Sequence, residues 1–157
     1  MKTLDYLQLD PKKTEKTVDG LQKLLASLQW YYTNLRGYHW NVKGITFFGA
    51  HAKYEEYYDD TADKVDEVAE RILQLGGTPA HNFSNYLKNS QIKEAGVVHN
   101  VKEITGELLD QLKALIGLER ELIETASDAG DEGTADLLTG FLTDQEKVVW
   151  MLASLLS

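Results

Sequence analysis

Residues 39–70 read HWNVKGITFFGAHAKYEEYYDDTADKVDEVAE, and this stretch indicates both the fold of the protein and its site. Two histidines and three carboxylates follow at intervals of twelve, four, eleven and four residues: His39, His51, Glu55, Asp66 and Glu70. An interval of four residues is about one turn of an α-helix. Imidazole nitrogens and carboxylate oxygens are ligands suited to iron, manganese or zinc. The stretch therefore predicts a metal site built on helices.

The spacing also predicts how the site is assembled. On one continuous helix the last four of these residues share a single stripe, at ~100° per residue. His51 and Glu55 nevertheless lie ~22 Å from Asp66 and Glu70 along the axis, at ~1.5 Å per residue. One ion cannot be bound by both pairs of one chain. Two copies of the helix, antiparallel about a two-fold axis near residues 60–62, would bring the first pair of one copy onto the second pair of the other. The sequence therefore predicts a metal site shared between subunits.

The rest of the chain is patterned for helices. Apolar residues recur three and four positions apart through most of its length, which predicts four long amphipathic helices. The first helix should end near Gly44, and the second should begin at a Thr46 cap and end at Gly76-Gly77. The third should begin near Val101 and end at Gly130, after which Asp131 or Thr134 can cap the fourth. We expect an all-α four-helix bundle with one long crossover connection between the second and third helices.

Within that connection, residues 85–88 could form a helical turn. The length of 157 residues suits a single domain spanning 1–157, in which residues 1–16 are expected to be a short N-terminal tail. The second helix has one core face, one face carrying the candidate ligands, and a third face expected to be solvated, formed by Lys53, Glu56, Asp60, Lys64, Glu67 and Arg71.

Composition narrows the class of protein. Cysteine is absent, which excludes disulfides, thiolate metal sites and thiol catalysis. The net charge of −9 argues against a generally basic surface for nucleic acid. No apolar run approaches the ~18 residues of a membrane span, and no leader precedes the first helical pattern. We therefore expect a cytoplasmic protein with no membrane association.

The residues in and around the opening stretch resemble the signature of the Dps proteins, the miniature ferritins named as DNA-binding proteins from starved cells. The matching positions are 39–44, 47–48, 51, 55, 66, 69–71, 75–77, 86–87, 131 and 134–136. The resemblance implies a ferritin-like bundle with a short extra helix between the second and third helices. It also implies a dodecamer around a hollow cavity. Its activity would be oxidation of Fe(II), with hydrogen peroxide preferred to dioxygen, and storage of the ferric mineral, which protects against oxidative damage.

The resemblance also implies roles for single residues. His39, His51 and Glu55 of one subunit would bind iron together with Asp66 and Glu70 of its mate, at two-fold interfaces. Zinc or manganese would suit the same ligands. This chain has Glu55 where the family usually has Asp.

Two residues beside the ligands have implied roles of their own. Trp40 resembles the family tryptophan near the centre and is a candidate electron donor, with packing at an interface as the alternative. Arg36, one turn before His39, is placed to pair with the mate's carboxylates.

An acidic segment marks a candidate route for iron. The resemblance places Asp131 and Asp136, with Glu132 behind them, at a pore on a three-fold axis. A ring of carboxylates there would focus the electric field and attract cations. The local alternative is that Asp131 caps the fourth helix, where its charge also suits the helix dipole.

Two alternatives belong to other classes of function. A ferritin proper, or another di-iron carboxylate bundle, relies on Glu-x-x-His within single helices, and this chain contains no such tetrapeptide. The second is a nucleoid-associated DNA-binding and DNA-protecting protein with secondary iron binding. Its basic tail would be the N-terminus, but the lysines there are mixed with acids: Lys2, Asp5, Asp10, Lys12, Lys13, Glu15 and Lys16. The sequence does not favour strong DNA binding.

Overall fold

A computed structural model describes residues 3–157, and every regular element in that range is a helix. The elements are α1 Thr3–Leu7, α2 Pro11–Asn41, α3 Phe47–Gln74, α4 Phe83–Asn89, α5 Val101–Asp128 and α6 Glu132–Leu156. The all-α class and the four long helices are confirmed. The short helix α4 lies in the connection between α3 and α5, as predicted.

The bundle is organised as two helix pairs. α2 packs on α3 and α5 packs on α6, while α2 also contacts α5 and α4. The helices bury one continuous apolar core, whose fully buried members include Leu21, Leu24, Leu28, Leu35, Val68, Ile72, Ile104, Leu108, Leu112 and Leu138. Gly20 allows α2 to approach α5 closely, because a Cβ at this position would lie 2.1 Å from a methyl carbon of Leu122. No helix within residues 3–157 is both long and apolar enough to cross a membrane.

The helix ends follow the expected signals with one exception. Asp131 caps α6 by accepting a hydrogen bond from the backbone N–H of Thr134. Gly76 and Gly130 adopt the left-handed conformation, with φ of 80° and 73°, where α3 and α5 end. Thr46 precedes α3 as predicted, but its side chain makes no capping hydrogen bond.

The N-terminal segment differs from the expected tail. α2 begins at Pro11, because Asp10 caps it through the N–H of Lys12 and proline suits the first helical position. α1 precedes it and buries Leu4 in the core. Residues 3–16 therefore comprise α1, a short connection and the start of α2. Lys2, which was counted among the tail lysines, lies outside the described residues.

Two residues of the face expected to be solvated are instead drawn inward. Lys64 is only 5% exposed, and its ammonium group lies 2.6 Å from the carboxylate of Asp60 and 5.3 Å from the centre of the Phe141 ring. Arg71 reaches α6 and contacts Asp131. Long basic side chains can bury their methylene stems while keeping their charge paired, which a helical-wheel pattern does not distinguish from solvation.

Candidate metal site

His39 and His51 form a reciprocal pair at the junction of α2 and α3. Their rings are stacked, with centroids 3.7 Å apart and planes 18° from parallel. Nδ1 of His39 lies 2.7 Å from the backbone oxygen of His51, and Nδ1 of His51 lies 2.8 Å from the backbone oxygen of His39. A carbonyl oxygen only accepts hydrogen bonds, so each Nδ1 carries the hydrogen. In the neutral rings, both Nε2 atoms are left with a lone pair for a metal ion.

Neighbouring aromatic rings fix the orientation of this pair. Phe47 also stacks on His51, with centroids 5.0 Å apart and planes 23° from parallel. The rings of Tyr58 and His39 make a T-shaped contact, with centroids 5.4 Å apart and planes 87° apart. His39 is buried and His51 is half-buried. The imidazoles are therefore held in place before any metal binds, which lowers the cost of ordering them on binding.

Glu55 follows His51 by one helical turn and is exposed. The hydroxyl group of Tyr58 donates a hydrogen bond to Oε1 of Glu55, at 3.2 Å. Desolvation and the nearby charge of Glu55 raise the pKa of Tyr58, so its phenol keeps the proton that it donates. Tyr58 was not among the residues predicted from the sequence, although it lies three residues after Glu55 and seven after His51, at helical spacing.

Asp66 and Glu70 are exposed farther along α3. Within residues 3–157 of a single chain, no three or more histidine, aspartate or glutamate side chains come together as a metal-binding group. The structure thus brings His39 and His51 together, with Glu55 one turn away, and leaves Asp66 and Glu70 apart from them. Their joint action in one site stays a prediction about two chains.

Trp40 on α2 is exposed, and the half-buried Arg36 lies between the rings of Trp40 and Tyr32. The guanidinium carbon of Arg36 lies 4.7 Å from the centre of the Trp40 ring and 5.3 Å from that of Tyr32. The Trp40 side chain is 63% exposed. Arg36 is thus engaged with aromatic faces within its own chain. Its pairing with a second subunit stays a prediction.

The three candidate pore residues differ in their exposure to solvent. Asp131 is 1% exposed, and its carboxylate binds the N–H and hydroxyl group of Thr134 as well as the guanidinium of Arg71. Asp131 therefore caps α6, which was predicted from the sequence as the alternative to a role in the pore. A buried carboxylate does not suit the lining of a pore. Asp136 and Glu132 are exposed. The pore prediction is therefore kept for these two residues only.

The bundle core contains one carboxyl group that the sequence analysis missed. Glu119 is fully buried on α5 and accepts a 2.7 Å hydrogen bond from the side-chain amide of Gln145 on α6. Burial raises the pKa of Glu119 to about 8, an effect that Gln145 and the nearby charge of Lys64 partly offset. The signal was present in the sequence, since Glu119 lies on the apolar stripe between Leu115 and Leu122.

Comparison with known proteins places this arrangement in a family. The family described as the ferritin-like domain matches residues 18–157. The DNA protection during starvation protein of Porphyromonas gingivalis is 48% identical, over 98% of this chain and 96% of its own length. The chain belongs to the Dps family of ferritin-like proteins.

Solved structures of Dps proteins share the whole fold. The Dps protein of Vibrio cholerae superimposes with a TM-score of 0.93 at 44% identity, covering 95% of this chain and 94% of that one. It is described as a member of a broad superfamily of ferritin-like diiron-carboxylate proteins. The Dps protein of Staphylococcus aureus gives a TM-score of 0.88 at 36% identity, covering 91% and 96%. The resemblance noted in the sequence, and the ferritin-like bundle that it implied, are confirmed.

Proposed function

We propose that this protein oxidises Fe(II), preferably with hydrogen peroxide, and stores the ferric product inside a hollow homododecamer in the cytoplasm. Membership of the Dps family supports the class of function. One observation in this structure supports the proposal at the level of individual residues. The reciprocal hydrogen bonds of His39 and His51 leave both Nε2 atoms available to a metal ion.

The proposed centre combines residues from two subunits. His39, His51 and Glu55 of one subunit would bind Fe(II) with Asp66 and Glu70 of the other. The two imidazoles supply neutral nitrogen donors that suit Fe(II), and the carboxylates supply negative oxygen donors that favour the higher charge of Fe(III). The same residues would therefore capture the substrate and favour its oxidation. Zn(II) or Mn(II) would compete for these donors.

The proposed reaction needs two electrons for each molecule of peroxide. Hydrogen peroxide takes two electrons and two protons as its O–O bond breaks, and two water molecules result. Two Fe(II) ions, or one Fe(II) ion and a nearby side chain, can supply the electrons. Delivery of both electrons at one site avoids release of a hydroxyl radical, which would explain how the reaction protects against oxidative damage.

Complementation between inactive variants tests the shared site. His51→Ala and Asp66→Ala homomers should both lose rapid oxidation of Fe(II) by peroxide, followed by ferric absorbance. In a mixed pair, both defects fall in one of the two sites and the other site is intact. Random reassembly should therefore restore about a quarter of the sites.

A matched mixture provides the control. His51→Ala and Glu55→Ala alter residues supplied by the same subunit, so a mixed pair of these variants has one defect in each site and should stay inactive. Equal activity in the two mixtures, or none in either, would contradict the shared centre.

A further inference from the structure

Tyr58 contacts two members of the proposed ligand set. Its hydroxyl group donates to Glu55 at 3.2 Å, and its ring makes a T-shaped contact with the ring of His39, with centroids 5.4 Å apart. Tyr32 makes a second T-shaped contact with Tyr58, with centroids 5.9 Å apart and planes 89° apart. A phenol that contacts both a histidine and a carboxylate of an oxidising centre lies close enough to exchange an electron with it.

The surroundings of Tyr58 suit it to lose an electron. Oxidation of a phenol is easier when its proton can leave at the same time, because the product is then a neutral radical. The hydroxyl proton of Tyr58 is already directed at an acceptor, the carboxylate of Glu55. Glu55 would pass that proton on to peroxide, so its carboxylate is charged again when the reaction is complete.

The surroundings of Trp40 are less suitable. Loss of an electron from an indole leaves a positive charge on the ring until its proton departs. The guanidinium of Arg36 lies 4.7 Å from the centre of this ring and repels such a charge. The Trp40 side chain is also largely exposed to solvent. Within one chain, the electrostatics therefore favour Tyr58 over Trp40 as the donor.

We propose that Tyr58 supplies the second electron to hydrogen peroxide when a single Fe(II) ion occupies the centre, an inference that rests on the proposed function. The Fe(II) ion gives one electron and becomes Fe(III). Tyr58 gives the other electron, and its proton passes to Glu55. Peroxide accepts both electrons, with that proton and one from solvent, its O–O bond breaks, and two water molecules form. A later Fe(II) ion and one proton return the neutral Tyr58 radical to the phenol.

Electron paramagnetic resonance tests the donor directly. Protein carrying ring-deuterated tyrosine is loaded anaerobically with one Fe(II) per site, mixed with peroxide and frozen. Wild-type protein should give a tyrosyl radical whose hyperfine structure narrows on deuteration. Tyr58→Phe should lose this signal and release hydroxyl radical to a spin trap. Tyr57→Phe, a change at the adjacent half-buried tyrosine, and Trp40→Phe should both keep the tyrosyl signal.

Zinc binding separates electron donation from a structural role. Zn(II) cannot be oxidised, so its affinity reports only on the ligands, and Tyr58→Phe should bind it as wild type does. Loss of zinc binding together with the radical would assign Tyr58 to holding Glu55 and overturn the proposal. Persistence of the radical in Tyr58→Phe, or its absence in wild type, would also overturn it.

The proposed function is tested separately, by the rate of Fe(II) oxidation with two Fe(II) ions per site. If wild-type protein oxidises Fe(II) faster than His51→Ala does, the proposed function stands. If Tyr58→Phe then still gives the wild-type radical signal, only the role of Tyr58 as electron donor is refuted. Wild-type protein no faster than His51→Ala refutes the proposed function, and the donor with it.

Discussion

Arg71 on α3 donates a hydrogen bond to the buried carboxylate of Asp131, the residue that caps α6, over 2.5 Å. A second donor of the same guanidinium binds the hydroxyl group of Thr134 at 2.8 Å. Arg71 directly follows the candidate ligand Glu70 along the chain. This contact therefore ties the ligand-bearing end of α3 to the joint between α5 and α6.

Removal of this carboxylate should destabilise the fold. Asp131→Ala abolishes the cap of α6 and leaves the Arg71 guanidinium, whose side chain is only 15% exposed, without its anionic partner. We expect the free energy of unfolding to fall by about 2–4 kcal/mol, measured by urea denaturation. Asp128→Ala, which changes an exposed carboxylate in the last turn of α5, is the control. Equal stability of the two variants would show that the Arg71 contact contributes nothing.

Asp136 should affect the entry of iron rather than stability. Its exposed carboxylate lies in α6 beyond the cap, where a ring of such charges would attract Fe(II). Asp136→Asn should slow iron uptake by on the order of tenfold at low ionic strength. Zinc affinity at the proposed centre and the melting temperature should stay unchanged. Asp110→Asn, the same charge change at an exposed position on α5, is the control. Uptake that is unaffected across a range of Fe(II) concentrations would remove Asp136 from the entry route.

Glu119 should make stability depend on pH. Its pKa is raised from 4.5 to about 8 in the folded state, so the folded state binds the proton more tightly than the unfolded chain. The stabilisation is complete below the unfolded pKa and is lost as the pH rises through the folded pKa, at ~1.4 kcal/mol per pH unit between the two.

Glu119→Gln keeps the shape of the side chain and removes the charge. Its free energy of unfolding, compared with wild type, should therefore increase steadily between about pH 5 and pH 8. Glu124→Gln, at an exposed position on α5, should show no such trend in parallel denaturation curves. A difference between Glu119→Gln and wild type that is constant with pH would mean that Glu119 ionises normally in the core.

The assembled protein should not bind duplex DNA strongly. The chain carries a net charge of −9, and its N-terminal lysines are mixed with acids. Asp10 and Lys12 are also held at the cap of α2, which shortens any free basic arm. We expect no gel shift at neutral pH and physiological salt. A salt-sensitive retarded band at sub-micromolar protein would contradict this, and deletion of the residues before Thr17 would show whether the N-terminus causes it.

The sequence predicted those features that depend on local spacing. The bounds of α3 followed from Thr46 and Gly76, and the relation of His51 to Glu55 followed from helical periodicity. The start of α2 was also predictable, because Asp10 before Pro11 is a strong start signal, although residues 1–16 were expected to be a tail.

The features that were missed depend on contacts between distant parts of the chain. The reciprocal bonds of His39 and His51 require the exact course of the connection between α2 and α3. The cap that Asp131 forms was predicted, but its contact with Arg71 was not, because Arg71 lies sixty residues earlier in the chain. Helical periodicity assigns Arg71 to a face but does not say which helix meets that face.

His39, His51 and Glu55 of one subunit should bind iron together with Asp66 and Glu70 of another. Anomalous diffraction at the iron edge, from crystals soaked anaerobically in Fe(II), would locate the metal and its ligands together. We expect an anomalous peak at each interface site, within bonding distance of Nε2 of His51 and of a carboxylate oxygen from the neighbouring subunit's α3. A peak whose protein ligands all come from one subunit, or no peak beside His51, would show that the iron site is not shared in this way.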